Sequence, residues 1–246
     1  MIVKTDKDRE GMRAASKIVK KALDAAADFI RPGVTTLDID AVVEETIRKA
    51  GGIPSSKGFE GYPNASCVSV NDVVVHGIPS LQTVKSGDIV SVDITVLLNG
   101  YQGDAARTFA VGDVSEADLR LIKAAEAAFF AGMEYAKAGN RMGDISSAIQ
   151  MYSEINGYGV VRALSGHGIG HKMHEPPEVP NFGKKHSGPE LKEGLCIAVE
   201  PMITRGDWRV YIARDKWTVR TNDGSNAAHY ENTIIVTNGE PEILTL

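Results

Sequence analysis

An internal duplication is the feature of this sequence that most restricts its fold. The order along the chain is helices, strands, helices and strands. Apolar residues recur at helical spacing in four segments, which are residues 8–30, 36–50, 116–137 and 142–155. The strand-like run Lys85–Asp93 aligns with Lys192–Glu200, and the helical parts align in the same order. The sequence therefore predicts one domain over residues 1–246, built from pseudo-repeat halves at about 8–115 and 116–246.

Composition excludes several classes of protein. The 246 residues carry 27 basic and 32 acidic side chains, a formal net charge of −5, so no basic surface for nucleic acid is expected. No apolar run approaches the ~18 residues of a membrane span, and the charged start of the chain does not resemble a secretory signal. Cys67 and Cys196 form neither a CxxC pair nor a disulfide framework. We expect a cytoplasmic protein without membrane or nucleic-acid partners.

Each half of the sequence carries two acids in or near a predicted apolar strand. Asp93 lies within the apolar run 89–98, and Glu200 ends the matched run 195–200; Asp104 and Glu231 follow them downstream. A carboxylate among apolar neighbours is costly to bury unless it is paired or binds a metal. Taken singly, each acid could instead be a solvated strand end or turn residue, but the matched positions favour a shared site.

A glycine-rich segment, Ser165–Pro177, contains three of the six histidines. Its glycines argue against a helix, so the spacing of His167 and His171 does not place both on one helical face. The segment lacks the HExxH pattern of a zincin protease, and its glycines miss the dinucleotide-binding pattern. The segment could also be a solvated loop whose histidines have no functional role. His76, which follows an apolar run, could likewise be structural.

Two aspartates, two glutamates and one histidine are too many ligands for one catalytic metal ion with an open position. Such a set suits two divalent ions about 3.5–4 Å apart. Oxygen-rich ligation favours Co(II), Mn(II) or Fe(II), with Zn(II) and Ni(II) as alternatives.

The motifs that complete the interpretation are spread over nearly the whole chain. They are Tyr62–Cys67, Val75–Pro79, Val92–Asp93, Gly103–Asp104, Gly166–Gly170, His174–Glu175, Val199–Met202 and Tyr230–Thr233. In this order they resemble the type I methionine aminopeptidases of the short bacterial form. The resemblance implies the α/β "pita-bread" fold, an antiparallel-rich curved sheet with flanking helices and pseudo-two-fold halves.

The resemblance also implies roles for individual residues. The metal ligands are Asp93, Asp104, His167, Glu200 and Glu231, with Asp104 and Glu231 bridging. His76 and His174 contact substrate without binding metal, and Glu200 is a third catalytic residue that transfers a proton. The methionine pocket is lined by Phe59, Tyr62, Cys67, Met173 and Trp217. Many relatives carry an aromatic residue at Met173 and tyrosine at Phe59, which changes the shape of the pocket but not its apolar class. His171 has no implied role and is expected at the surface of the loop.

The implied activity is hydrolysis of the first peptide bond of chains that begin with methionine, preferably before a small second residue. The implied partners are the N-terminal segments of newly made proteins, with the ribosome as an open candidate, and the implied state is a monomer. Two alternatives remain. An Xaa-Pro aminopeptidase or prolidase shares the five ligands but usually carries an extra N-terminal domain, whereas here the pocket motif already begins at Phe59. A non-catalytic binding module of this fold would have lost ligands.

Overall fold

The helices of the protein begin where the sequence supplies caps. The computed structural model describes residues 1–246. The helices are α1 (Asp6–Phe29), α2 (Thr36–Lys49), α3 (Glu116–Met133) and α4 (Met142–Ile155). At the first helix, the Thr5 side chain accepts from the Asp8 amide, and the Asp8 carboxylate accepts from the Thr5 amide, which is a complete capping box. The helix begins two residues before the helical segment predicted over 8–30.

Fifteen strands pair in four hydrogen-bonded sheets, and all strand pairs are antiparallel. The strands are β1 (Ile53–Pro54), β2 (Cys67–Val70), β3 (Val73–Val75), β4 (Ile89–Leu98), β5 (Tyr101–Ala110), β6 (Gly159–Val160), β7 (Ser165–Gly168), β8 (Glu175–Pro180), β9 (Cys196–Val199), β10 (Met202–Thr204), β11 (Val210–Ile212), β12 (Val219–Thr221), β13 (Ala227–His229), β14 (Asn232–Ile235) and β15 (Glu242–Ile243). A short 3₁₀ turn, Phe59–Gly61, lies between β1 and β2.

Two sheets carry most of the predicted site. The first has the order β1–β4–β2, with β5 paired to β4, and the second has the order β15–β14–β9–β7–β8. Hydrogen bonds join them: the Asp104 amide donates to Thr233 Oγ1 at 3.0 Å, and the Glu231 amide donates to the Ala106 carbonyl at 3.0 Å. These bonds bring the acids of both halves to one place.

The apolar core consists of two large clusters. One contains Ile18 of α1, Ile39 of α2 and Val92 of β4, so these helices cover the first sheet. The other contains Phe129 of α3 and Ile197 of β9, so α3 and α4 cover the second sheet. None of the helices combines the length and apolar character needed to cross a lipid bilayer.

Two predictions of local structure need correction. The helix predicted over 116–137 ends at Met133, because Ala138 donates its amide to the Thr237 carbonyl at 2.8 Å and Lys137 forms a β-bridge with Thr237. His167 lies in strand β7 and not in a free loop, because β7 pairs with both β8 and β9. In both places the local structure depends on pairing with distant segments, which the local sequence pattern does not reveal.

Candidate metal centre and substrate pocket

Asp93 and Asp104 lie on neighbouring strands and on one face of the first sheet. Asp93 pairs with Ala106 and Thr95 pairs with Asp104, so the two acids stand diagonally across β4 and β5. The Thr95 hydroxyl donates to Asp104 Oδ1 at 3.1 Å, which fixes that carboxylate. The strand pairing alone therefore brings together the acids predicted from the first half.

The second sheet supplies an imidazole and two further acids. Glu200 directly follows β9 and Glu231 directly precedes β14. His167 Nε2 lies 3.6 Å from Asp104 Oδ2 and 3.7 Å from Glu200 Oε1. Its Nδ1 lies 3.0 Å from the Gly168 carbonyl, which can only accept, so Nδ1 carries the proton and the Nε2 lone pair faces the acids. Ligand atoms of Asp104, His167 and Glu231 all lie within 4.8 Å of one another.

The electrostatics of the cluster favour a bound cation. Burial raises the pKa of Asp93 to about 7. Burial, followed by repulsion between the carboxylates, holds the pKa values of Asp104, Glu200 and Glu231 well above the ordinary range. Glu231 Oε1 is buried without a hydrogen-bond partner. A divalent ion would offset the repulsion and satisfy that oxygen, so the donor set fits a metal.

The imidazole of the cluster is neutral. Burial, followed by the nearby His174, lowers the pKa of His167 to about 4. A neutral ring keeps a lone pair on Nε2, which is the form that ligates metal ions.

A single cavity of about 220 Å³ brings together every residue that the sequence placed in the site. The predicted residues that line it are Phe59, Tyr62, Cys67, His76, Asp93, Asp104, His167, Met173, His174, Glu200, Trp217 and Glu231. The aromatic rings form one wall, where Tyr62 and Trp217 meet edge to face at 5.1 Å between centroids. The acids line the same cavity, which therefore combines apolar and polar walls.

Two histidines stand between the apolar wall and the acids. The His174 ring contacts the His167 ring edge to face at 4.3 Å between centroids, and the Phe59 ring at 5.2 Å. His76 faces Trp217 at 6.3 Å between centroids. Desolvation lowers the pKa of both His76 and His174, so both are neutral near pH 7 and each offers one N–H donor. His171 lies outside the cavity, exposed, as expected.

The sequence interpretation missed four residues at or beside the site. Ser56, Glu60 and Thr95 line the cavity, and His229 lies buried beside the acids. Strand alternation could have identified two of them, since Thr95 follows Asp93 by two residues and His229 precedes Glu231 by two. No comparable pattern marks Ser56 or Glu60, because the short turn that carries them has no fixed period.

Fold and site together define a metallopeptidase. The chain belongs to metallopeptidase family M24, whose family model matches residues 10–238. Curated proteins that it resembles over its whole length are named methionine aminopeptidase. One from Clostridium acetobutylicum is 52% identical over 100% of this chain and 99% of its own length. The crystal structure of the methionine aminopeptidase from Thermotoga maritima matches with a TM-score of 0.97 and 42% identity, covering 100% of this chain and 99% of that one.

More distant relatives share the fold with additional sequence. The prolidase from Pyrococcus furiosus matches all of this chain with a TM-score of 0.81 and 25% identity, but only 65% of the prolidase is covered. The pita-bread fold implied by the resemblance is confirmed.

Proposed function

We propose that this chain is a metal-dependent aminopeptidase that removes the N-terminal methionine from newly made proteins and peptides, preferably before a small second residue. The observation that carries the proposal is the cavity itself, which joins an apolar, aromatic wall to a buried cluster of acids and a neutral imidazole. Such a cavity can hold one apolar side chain beside a hydrolytic centre.

We assign metal binding to Asp93, Asp104, His167, Glu200 and Glu231, which would together hold two divalent ions. The raised pKa values of the four acids and the partnerless Glu231 Oε1 support this assignment. When bound, such ions supply a water of lowered pKa and polarise the scissile carbonyl. The oxygen-rich ligand set favours Co(II), Mn(II) or Fe(II).

Selectivity for methionine follows from the apolar wall. Phe59, Tyr62, Met173 and Trp217 surround a space that suits an unbranched thioether, and a sulfur atom gains further from contact with aromatic rings. Cys67 is also buried here, and burial holds the pKa of its thiol well above the ordinary range, so it packs as a small apolar group.

His174 and His76 act on the peptide. His174 lies beside both the ligand His167 and the pocket residue Phe59, so its N–H can donate to the oxyanion that forms from the scissile carbonyl. His76, beside Trp217, orients the scissile amide. Glu200, next to His167, takes a proton from the attacking water and passes it to the departing amine.

The proposal extends to the organisation of the protein. We propose that it acts as a monomer with one catalytic domain, whose halves span about 8–115 and 116–246. Its substrates would be N-terminal segments of nascent chains in the cytoplasm, with the ribosome as a candidate partner.

A peptide panel tests the proposed activity. Chelated protein should release no methionine from Met-Ala-Ser, and addition of Mn(II) or Co(II) should restore release. Faster cleavage of Ala-Pro peptides would instead identify an Xaa-Pro peptidase, and metal binding without any cleavage would identify a non-catalytic module.

A further inference from the structure

His229 is a buried histidine beside the acid cluster, and its side chain has no hydrogen-bond partner. It ends strand β13 and is 2% exposed. Both ring nitrogens are buried and unpartnered. Buried polar atoms without partners are rare in folded proteins, so we expect the ring to form a hydrogen bond in another state of the site.

The ring is held in place by its backbone. The His229 amide donates to Thr108 Oγ1 at 3.0 Å, and its carbonyl lies 2.9 Å from the same hydroxyl. Thr108 belongs to β5 of the first sheet, so the ring position is tied to the strand that also carries Asp104. The imidazole therefore has a fixed place relative to both halves of the site.

Two carboxylates lie just beyond hydrogen-bond distance of the ring. His229 Nε2 lies 3.7 Å from Glu200 Oε2 and 3.9 Å from Glu231 Oε2. Both distances exceed a hydrogen bond by less than about 1 Å, which a modest rotation of either carboxylate can close.

The same two carboxylates lack the support that Asp104 and His167 have. Asp104 accepts from Thr95, and His167 Nδ1 is held by the Gly168 carbonyl. The side-chain oxygens of Glu200 and Glu231 accept no hydrogen bond from the protein, and Glu231 Oε1 is buried. Carboxylates that ligate metal are usually hydrogen-bonded in turn, so each of these two needs a donor.

We propose that His229 is the positioning residue for Glu200 and Glu231. Its Nε2–H donates to the Oε2 atoms of these carboxylates and turns their remaining oxygens toward the metal ions. This inference rests on the proposed function, because it requires both glutamates to be ligands. His229 itself binds neither metal nor substrate in this account.

Two variants distinguish a hydrogen-bond donor role of His229 from a packing role. His229→Gln keeps an N–H donor on a side chain of similar reach, whereas His229→Leu keeps apolar volume and removes the donor. His186→Leu serves as the matched control, since His186 is exposed and lies beside Asp144, outside the cavity.

The primary measurement is the affinity of chelated protein for Mn(II), by competition with a chromophoric chelator. We expect His229→Leu to lose roughly 10–100-fold in affinity, His229→Gln to stay within about threefold of wild type, and His186→Leu to be unchanged. Thermal melting of the chelated proteins accompanies it. Melting of His229→Leu at or above the wild-type temperature, together with the affinity loss, supports a positioning role, since a merely structural ring would lower stability and leave affinity unchanged.

Three outcomes would overturn the inference. Wild-type affinity in folded His229→Leu would show that no donor is needed. Equal losses in the Gln and Leu variants, with fewer ions bound per chain, would make His229 a ligand. Loss of cooperative thermal unfolding in both variants would show that the ring is needed for packing. Absence of Mn(II) binding by the wild type is a separate result, which would refute the proposed function itself.

Discussion

The pH dependence of stability in the metal-free protein tests the interpretation of the acid cluster. Asp93 has its pKa raised from 3.8 to about 7 by burial, so the folded chain holds a proton that the unfolded chain releases. For an acid whose folded pKa is raised, stability is greatest below the unfolded value and falls as pH rises toward the folded value. The metal-free protein should therefore lose stability between about pH 4 and pH 7.

The size of the effect follows from that pKa. Each pKa unit corresponds to about 1.4 kcal/mol, so Asp93 alone costs about 3 kcal/mol between pH 5 and pH 8. A chain of this length melts roughly 2–4 °C lower per kcal/mol, which predicts a fall on the order of 10 °C. Asp104, Glu200 and Glu231 act in the same direction.

Thermal melts of chelated protein across this pH range measure the effect. Asp93→Asn should flatten the slope, whereas the exposed Glu193→Gln should leave it unchanged. Saturating Mn(II) should raise the melting temperature more at high pH, because metal ligands must be deprotonated. A metal-free melting temperature that rises between pH 5 and pH 8 would refute the reasoning.

Three further predictions concern catalysis. Asp104→Ala and Glu231→Ala should each abolish methionine release and lower the bound metal measured by elemental analysis; full activity with unchanged metal content would remove either residue from the site. His174→Ala should lower kcat roughly 10²–10³-fold with metal content retained, because it removes a donor to the oxyanion, whereas loss of metal would mean that His174 is the ligand. Norleucine should be tolerated at the first position, since small apolar changes cost only about 1–3 kcal/mol, and branched leucine should be cleaved more slowly than methionine by kcat/KM.

Local sequence patterns account for much of the secondary structure. The apolar run with Asp93 at its centre forms strand β4, and helix α1 begins after the cap at Thr5. These features depend on local sequence, because periodicity and capping chemistry act within a few residues. The meeting of the acids of the two halves was expected only through the internal repeat, and the hydrogen bond from Asp104 to Thr233 that joins the sheets was not predicted.

The features that could not be predicted from the sequence depend on contacts between distant segments. The pairing of β7 with β9 places His167, and nothing in its glycine-rich surroundings predicts a strand. The roles of His167 and His174 in that segment came from resemblance to a family and not from spacing. His229 was overlooked although it precedes Glu231 by two residues, because Glu200 reaches it only through the pairing of β13 with β10.

Anomalous diffraction from crystals grown with Mn(II) tests the central claim most directly. The account predicts two peaks about 3.5–4 Å apart, ligated by Asp93, Asp104, His167, Glu200 and Glu231, with Asp104 and Glu231 shared. A single ion, or ions bound outside this cluster or to His174 in place of His167, would contradict it.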